Sequence, residues 1–431
     1  MGANKLQAEI DTYVLNTPLS AQLQEQAELY LPGGNSRGTG YFGPHPHFIE
    51  SGKGPYVVDV DGNKSLDFMI NATSLILGHA NRHISAVIKD QIDLGAAYSG
   101  PTESQINLAE ILCTRIPSID TIRFTNSGTE ATMMAIRAAR LYTGKAKIVK
   151  IEGGYHGSHE YVSVSVYTPQ DKLNPSGPAP IPEYDGQPKN VAEGVFVVEY
   201  NDIEGMRDVV DRYAHEIACV IMEPVVSSFG YLPADQEYLE FVRTKTSELG
   251  IVLIFDEVQT GLGRLGTLFG YQSFGVEPDI ITLAKGLGGG VPIGAFLAKD
   301  SACAFDPGDH GSTFGGNPLT CAAAHASTKY IIDNEISENA AKMGEYLGEG
   351  LRKIQSNNEF ITEVRGMGLI WAVEFDSDMT PDVIAASNEA GLLMNPMRPN
   401  AVRLMPVLTI TKEEIDEALA RLETGLANAS Q

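Results

Sequence analysis

The chain has 431 residues, of which 43% are hydrophobic and 20% are charged, the proportions of a globular protein with a substantial core. Its 31 basic and 55 acidic residues give a net charge of −24, which disfavours nucleic acid and anionic membranes as partners. Neither a membrane-spanning apolar run nor a signal-peptide core is present, and the four scattered cysteines favour reduced thiols in the cytoplasm.

The first third of the chain combines helices with one hairpin. Helical apolar periodicity covers residues 4–30, and a loop rich in glycine follows. Residues 55–68 predict a hairpin whose turn lies at Asp61-Gly62-Asn63. Two further helices are expected over 82–95 and 103–116.

From Thr121 onward, short apolar strands alternate with helices. The strands are predicted at 121–125, 147–151, 217–222, 251–255, 280–284 and 294–298, and helices at 129–143 and 236–249. This alternation predicts an α/β architecture with a mainly parallel sheet covered by helices. Residues 168–190, rich in Pro, Gly and Asp, predict a surface excursion.

After about residue 325 the pattern changes to a smaller α+β unit. Its predicted elements are a long helix (319–355), a strand (368–375), a helix near 381–391, a strand (401–405) and a last helix (412–427). We therefore expect a large domain over 76–325. In the expected small domain, an N-terminal segment, residues 1–75, packs with residues 326–431.

A lysine and a carboxylate follow two of the predicted strands. Lys285 comes directly after the apolar run 280–284 and precedes the glycine-rich run 286–290. Asp256 comes directly after the apolar run 251–255. A lysine so placed can form a Schiff base with a carbonyl cofactor, and a carboxylate can hold a pyridine nitrogen protonated. The pair predicts pyridoxal phosphate (PLP) chemistry.

The segment Thr125-Asn126-Ser127-Gly128-Thr129-Glu130-Ala131 joins a predicted strand to a predicted helix. A hydroxyl residue shortly before a glutamate is an ordinary helix-capping pattern. The same segment could form a phosphate cup, in which N–H groups, the helix dipole and two hydroxyls converge on one anion. The sequence leaves both interpretations open.

Two other strand ends carry side chains of interest. Tyr155 follows the strand at 147–151 and could stack on a flat ring. Glu223 follows the strand at 217–222, and ligands of parallel sheets bind at the carboxyl ends of strands. With Gln259, four candidate groups then fall at strand ends: Glu223, Asp256, Gln259 and Lys285.

Several patterns are interpreted as non-functional. His156 and His159 have no third metal ligand nearby and are interpreted as ordinary loop histidines, like His45 and His47, so no metal site is expected. The run 261–266 matches GxGxxG, but residues 256–260 separate it from the preceding strand. A dinucleotide site needs those glycines directly after the strand.

Taken together, these segments resemble class III (ornithine-type, subgroup II) aminotransferases of PLP fold type I, over nearly the whole chain. The most specific matches are Phe255–Arg264, followed by Pro278–Gly290, and His310–Pro318. The resemblance implies a large PLP-binding domain with a mainly parallel sheet and a smaller α+β domain. It also implies a homodimer with active sites at the interface, using a small-molecule amino donor and a keto-acid acceptor.

The resemblance assigns a role to each matching residue. Lys285 is the Schiff-base lysine, and Asp256 is the partner of the pyridine nitrogen. Tyr155 and Val258 lie on opposite faces of the ring, and Gln259 reaches the ring hydroxyl. The phosphate contacts are Ser127, Gly128 and Thr129, with Thr313 of the partner subunit; Glu223 is placed among the cofactor-binding residues.

The chain resembles two branches of this family. Its first third is similar to glutamate-1-semialdehyde aminomutases and β-amino-acid aminotransferases, and its second half to acetylornithine and 4-aminobutyrate aminotransferases. The resemblance places Arg37 and Arg403 near the substrate, where arginine is a bidentate clamp for carboxylates. The aminomutases have Met at the place of Gln259 and lack an arginine matching Arg403, which favours a transaminase.

Two alternatives stay open. The first is an isomerase on the same cofactor, either a semialdehyde aminomutase or an amino-acid epimerase, which would convert one substrate without an acceptor. The second is a protein of this fold that binds its ligand without turnover. The presence of both Lys285 and Asp256 weighs against the second alternative.

Overall fold

The computed structural model describes residues 11–37, 43–168, 179–188, 190–228, 230–299, 302, 305–397 and 400–430. The chain forms two compact units: one runs up to Asn81 and continues from Asn339 onward, and the other comprises Arg82–Glu338. The start of the first predicted helix (4–10), much of the predicted excursion (169–178) and Cys303 lie outside the described residues.

Seventeen strands lie within the described residues. They are β1 (Ile49–Lys53), β2 (Tyr56–Asp59), β3 (Lys64–Asp67), β4 (Thr121–Thr125), β5 (Lys147–Ile151), β6 (Val195–Val198), β7 (Ile217–Met222), β8 (Val225–Val226), β9 (Leu232–Pro233), β10 (Val252–Asp256), β11 (Ile280–Leu283), β12 (Gly294–Ala298), β13 (Ile361–Met367), β14 (Ile370–Phe375), β15 (Leu392–Leu393), β16 (Asn395–Met397) and β17 (Ala401–Leu404).

The helices connect and cover these strands. They are α1 (described over 11–16), α2 (Pro18–Glu28), α3 (Ile70–Thr73), α4 (Arg82–Leu94), α5 (Glu103–Cys113), α6 (Gly128–Thr143), α7 (Ile203–Tyr213), α8 (Gln236–Leu249), α9 (Pro318–Asp333), α10 (Ile336–Ser356), α11 (Thr380–Glu389) and α12 (Lys412–Ala429). None of the described helices combines the length and the apolar character that a bilayer crossing requires.

A seven-stranded sheet organises the Arg82–Glu338 unit, in the order β4-β12-β11-β10-β7-β5-β6. Strand β12 is antiparallel to both β4 and β11, and the remaining pairs are parallel. Every residue of β7, β10 and β11 is buried. These strands are nearly continuous apolar runs because helices cover both faces of a parallel sheet. The predicted mainly parallel α/β fold is confirmed.

The other unit contains two four-stranded sheets. One has the order β1-β2-β3-β15, and the other, β13-β14-β17-β16, is antiparallel throughout. The predicted hairpin over 55–68 is confirmed by the antiparallel pair β2–β3. Helix α12 begins at a capping box, in which the Thr411 hydroxyl accepts the Glu414 N–H and the Glu414 carboxylate accepts the Thr411 N–H.

Two sequence-based assignments were wrong in detail. The predicted helix over 319–355 is two helices, because Glu335 has a left-handed backbone (φ +51°) that ends one helix before the next begins. The predicted helix over 4–30 is interrupted at Thr17, which precedes a proline. Several further elements were not predicted, namely strands β1, β6, β8, β9, β13, β15 and β16 and helices α3 and α7.

Candidate active site

The candidate site lies at one edge of the seven-stranded sheet. Strands β5, β7, β10 and β11 are parallel, and β4 runs the same way because β12 is antiparallel to both β4 and β11. Their carboxyl ends therefore meet at one edge. The predicted site residues that follow these ends are Ser127, Gly128, Thr129, Tyr155, Glu223, Asp256, Val258, Gln259 and Lys285.

Asp256 is a buried carboxylate with three hydrogen-bond partners. Its Oδ2 lies 2.8 Å from Nδ1 of His156. Its Oδ1 accepts the Thr282 hydroxyl at 2.9 Å and the Val258 N–H at 3.1 Å. Thr282 is the residue opposite Asp256 in the β10–β11 register. These contacts fix the orientation of the carboxylate and offset the cost of burying its charge.

His156 is the main site residue that the sequence interpretation missed. Its side chain is fully buried, and its carbonyl accepts the Thr132 hydroxyl at 2.6 Å. It is therefore no ordinary loop histidine. No local pattern could have revealed its role, because its partner Asp256 is 100 residues away in the chain. Within the described part of the chain, no cluster of His, Cys, Asp or Glu side chains could hold a metal ion.

Glu223 lies beside this pair and is also buried. Burial raises the pKa of its carboxyl, and Asp256 adds to the shift, while the charges of His156 and Lys285 oppose it. Its Oε1 accepts the Tyr155 N–H at 3.4 Å. Glu223 therefore interacts with three other strand-end residues: Tyr155, Asp256 and Lys285.

Lys285 follows β11 with an unusual backbone. Its φ of +43° lies in the left-handed region, which residues other than glycine rarely adopt. It begins the 3₁₀ turn Lys285–Gly288, and its side chain is half-buried. Such outliers persist only where the surrounding structure holds them, and they concentrate at functional sites.

The first turn of α6 combines a cap with a possible anion site. The Ser127 hydroxyl accepts the Glu130 N–H at 3.1 Å, and the Glu130 carboxylate accepts the Asn126 N–H at 2.9 Å. The capping interpretation is therefore confirmed. The N–H groups of Gly128 and Thr129 still lie at a helix N-terminus, where they have no intrahelical acceptor, and the Ser127 hydroxyl can still donate its proton.

Close backbone approaches pack this helix turn against the neighbouring strand ends. A Cβ on Gly128 would lie 3.2 Å from both methyl groups of Val258. A Cβ on Gly157 would lie 2.6 Å from the Thr129 hydroxyl oxygen, and Gly157 also has a φ of +102°. Only glycine fits at Gly157 without displacing the helix.

The remaining predicted residues of this unit differ in how far they are buried: Tyr155 and Thr313 are exposed, and Gln259 is buried. Tyr155 is 40% exposed. Gln259 is buried, and its Nε2 lies 3.5 Å from the hydroxyl of Tyr231. Thr313 lies in an exposed loop, which is tied to the start of α6 by a 3.0 Å hydrogen bond between the Asn126 amide and the Ser312 hydroxyl.

The two predicted substrate arginines belong to the other unit. Arg37 is exposed, and its guanidinium donates to the side-chain oxygen of Asn71. Arg403, on β17, donates from Nε to the side-chain oxygen of Asn395 at 2.9 Å. Asn395 is its neighbour in the β16–β17 register, so the sheet orients this guanidinium.

Residues 41–426 match the model of the class-III aminotransferase family. The chain belongs to this family. An acetylornithine aminotransferase of Methanothermobacter thermautotrophicus is 39% identical over 87% of this chain and 92% of its own. A glutamate-1-semialdehyde 2,1-aminomutase of Methanocaldococcus jannaschii is 37% identical over 83% of each chain.

Solved structures of two transaminases are closely similar. An omega-transaminase from Sphaerobacter thermophilus superposes with a TM-score of 0.89, at 32% identity, over 96% of this chain and 98% of its own. A transaminase with PLP bound superposes with a TM-score of 0.88 over the same shares, also at 32% identity. The chain therefore has PLP fold type I, is an aminotransferase and uses PLP as its cofactor.

The described residues fit that cofactor. A helix N-terminus with backbone donors suits a phosphate, and a hydrogen-bonded carboxylate suits a protonated ring nitrogen. A lysine lies at the next strand end. The His156 Nε2 atom is buried and has no hydrogen-bond partner among the described residues.

Glu257 is a second buried carboxylate that the sequence interpretation passed over. Its two oxygens accept the N–H groups of Gly270 and Tyr271, at 2.5 and 2.7 Å. Burial raises the pKa of the Glu257 carboxyl to about 7, although these two hydrogen bonds oppose the shift. Glu257 thereby joins the end of β10 to the 3₁₀ turn Gly270–Ser273.

This shift predicts a pH-dependent stability. Because the folded pKa of about 7 lies above the ordinary value of 4.5 for a glutamate carboxyl, the contribution of Glu257 is fully present below pH 4.5 and is lost as the pH rises to about 7. We expect the wild type to lose on the order of 3 kcal/mol relative to Glu257→Gln over this window. Urea unfolding from pH 4.5 to 8 measures the difference in free energy of unfolding between the wild type and the variant. For the exposed control Glu248→Gln this difference should not change over the window. A difference that also stays constant for Glu257→Gln would contradict the assignment.

Proposed function

We propose that this aminotransferase moves an amino group from an amino acid or amine, in particular a β- or ω-amino acid, to an α-keto acid such as pyruvate or 2-oxoglutarate. The observation that carries the proposal is the buried Asp256 carboxylate, held by three donors beside the strand that Lys285 follows. Relatives named as acetylornithine aminotransferase and omega-transaminase support transfer to an acceptor.

We propose the following roles for the residues at the sheet edge. Lys285 would hold PLP covalently through its amine, and Asp256 would pair with the ring nitrogen. Tyr155 and Val258 would flank the ring, and Gln259 would face its hydroxyl. The phosphate would be held by Ser127, Gly128 and Thr129, with Thr313 of the partner subunit.

PLP, when bound, withdraws electrons from the amino donor so that its Cα can lose a proton. The Nζ of Lys285, as a free amine, would take that proton. Asp256 would pair with the protonated ring nitrogen, and the contacts with His156 and Thr282 keep its carboxylate aligned. Donor and acceptor use the same groups in turn, which predicts ping-pong kinetics.

A second candidate function is a semialdehyde aminomutase, which the 37% identical aminomutase relative favours. A panel of α-, β- and ω-amino acids and simple amines, each with pyruvate or 2-oxoglutarate, separates the two. We expect keto-acid-dependent amino transfer with at least one β- or ω-amino donor. Conversion of glutamate 1-semialdehyde without an acceptor, together with no transfer in the panel, would replace the proposal with the aminomutase.

We propose that Arg403 and Arg37 clamp substrate carboxylates at two different depths. A β-amino acid and an α-keto acid carry their carboxylates at different distances from the reacting carbon, so two clamps at different depths would suit a dual-substrate enzyme. The bond to Asn395 supports the role of Arg403, because it holds one edge of a planar guanidinium.

We propose a cytoplasmic homodimer with active sites shared between the subunits. The exposed loop that carries Thr313 and the 59% exposed Phe314 supports it, because this loop is tied to the start of α6. Cys113, Cys219 and Cys321 are free thiols, which agrees with a reducing compartment.

The proposed role of Lys285 predicts that the protein is yellow and that borohydride reduction links the cofactor to this residue. Lys285→Ala should still bind PLP but should lose turnover, because no amine remains to move the Cα proton. Peptide mapping after reduction is the measurement, and Lys299→Ala is the control. A tag on any lysine other than Lys285 would show the assignment to be wrong.

The carboxylate clamps predict different losses in the two half reactions. Arg403→Ala should weaken the keto-acid half reaction most, by ~2–5 kcal/mol if a buried pair is broken. Arg37→Ala should weaken β-amino donors and spare amines without a carboxylate. Single-turnover kinetics measures both, with Arg365→Ala as a control because its guanidinium already pairs with Glu374 at 2.7 Å. Equal losses with and without a substrate carboxylate would rule out clamping.

The shared site predicts that activity requires the dimer. Sedimentation should show a dimer at working concentration, and Thr313→Ala should release PLP more readily than the wild type because one phosphate donor is lost. The control is Thr424→Ala, whose hydroxyl donates to a carbonyl within its own helix. A fully active monomer would disprove the shared site.

A further inference from the structure

Lys150 is a lysine with no exposed surface, in strand β5 of the central sheet. Its Nζ donates to three backbone carbonyls, those of Ile151 at 3.0 Å, Val164 at 2.6 Å and Ser165 at 3.1 Å. An apolar side chain of similar length could fill the same space, but it would leave three buried carbonyls without this donor. The Lys150 ammonium therefore contributes to the structure through these three hydrogen bonds.

Two of these carbonyls belong to one loop, residues 152–168, which we call the Tyr155 loop, and the third, that of Ile151, directly precedes it. Ile151 is the last residue of β5, where the loop begins, and Val164 and Ser165 lie where the chain comes back to the end of β5. A backbone hydrogen bond from Gly153 to the Ser165 carbonyl, at 2.8 Å, closes the same ring. Tyr155 and His156 lie within this closed segment.

Two carboxylates complete the anchoring of the returning chain. Glu183 accepts the N–H groups of Val166 and Tyr167, each at 3.2 Å. Glu152 accepts the Thr168 hydroxyl at 2.5 Å. The negative charges that act on the Lys150 ammonium are those of Glu152, Glu183 and Glu223.

We propose that Lys150 is a positioning residue of the aminotransferase site: it fixes the Tyr155 loop so that Tyr155 meets the cofactor ring and His156 meets Asp256. The roles of Tyr155 and Asp256 rest on the proposed function, whereas the fixing of the loop does not. Lys150 acts only through the backbone that it holds.

The geometry also sets the direction of a pH effect. Burial lowers the pKa of the Lys150 ammonium to about 8, and the three glutamates oppose this shift. Above that pH the neutral amine has two N–H donors for three carbonyls, and it loses its attraction for their partial negative charge. The loop is held most firmly below about pH 8 and loosens as the pH rises through it.

Hydrogen exchange of the PLP-loaded enzyme, read by mass spectrometry, tests the proposal. In Lys150→Met, we expect amide exchange within the Tyr155 loop to rise at least tenfold, while β10 and β11 stay protected. The dissociation constant for PLP should rise by a similar factor. The matched control is Lys147→Met, on the same strand, whose ammonium pairs with Glu216 at 2.9 Å near the surface. It should change neither quantity.

Unchanged exchange in the Tyr155 loop, or a uniform rise across the Arg82–Glu338 unit, would overturn the proposal. If Lys150→Met does not fold, the pH dependence of hydrogen exchange in the wild type tests the proposal instead. After correction for intrinsic exchange, protection of the loop should fall between pH 7 and 9.5 while β10 keeps its protection, and a constant loop protection would overturn the proposal. These measurements need no substrate, so a failure to find an amino donor would not affect their outcome.

Discussion

The buried charge of Asp256 constrains the structure around the site. An ionised carboxylate without partners is costly in a protein interior, by several kcal/mol. Here the partners come from three different places: His156 from the loop after β5, Thr282 from the neighbouring strand and the N–H of Val258 from the following turn. The strand register and the path of the loop must therefore both be maintained for the charge to be tolerated.

Buried polar side chains hold the Tyr155 loop at several points. Lys150 binds the backbone carbonyls of Ile151, Val164 and Ser165, and His156 pairs with Asp256. Between them, the N–H of Tyr155 donates to the carboxylate of Glu223. A loop so restrained can present one aromatic face in a fixed position, which lowers the entropy lost when a flat ligand binds.

The sequence predicted those features that follow from local patterns. Continuous apolar runs identified β7, β10 and β11, and the polar residues after them marked the edge where Glu223, Asp256 and Lys285 meet. It could not predict the partners of these groups, since His156 is 100 residues from Asp256 in the chain. Lys150 was also hidden, because a charged residue in a strand usually faces water, and only the folded structure shows the three carbonyls that it binds.

The two ends of the proposed site differ in how they are built. The phosphate end depends on backbone groups and on close approaches, such as the one that excludes a Cβ at Gly157, so few sequences can form it. The proposed substrate end depends on individual side chains, Arg37 and Arg403, rather than on backbone groups. Relatives named as an aminotransferase and as an aminomutase are 39% and 37% identical to this chain. Such similar identities are expected if both reactions use the same cofactor end and the substrate end decides between them.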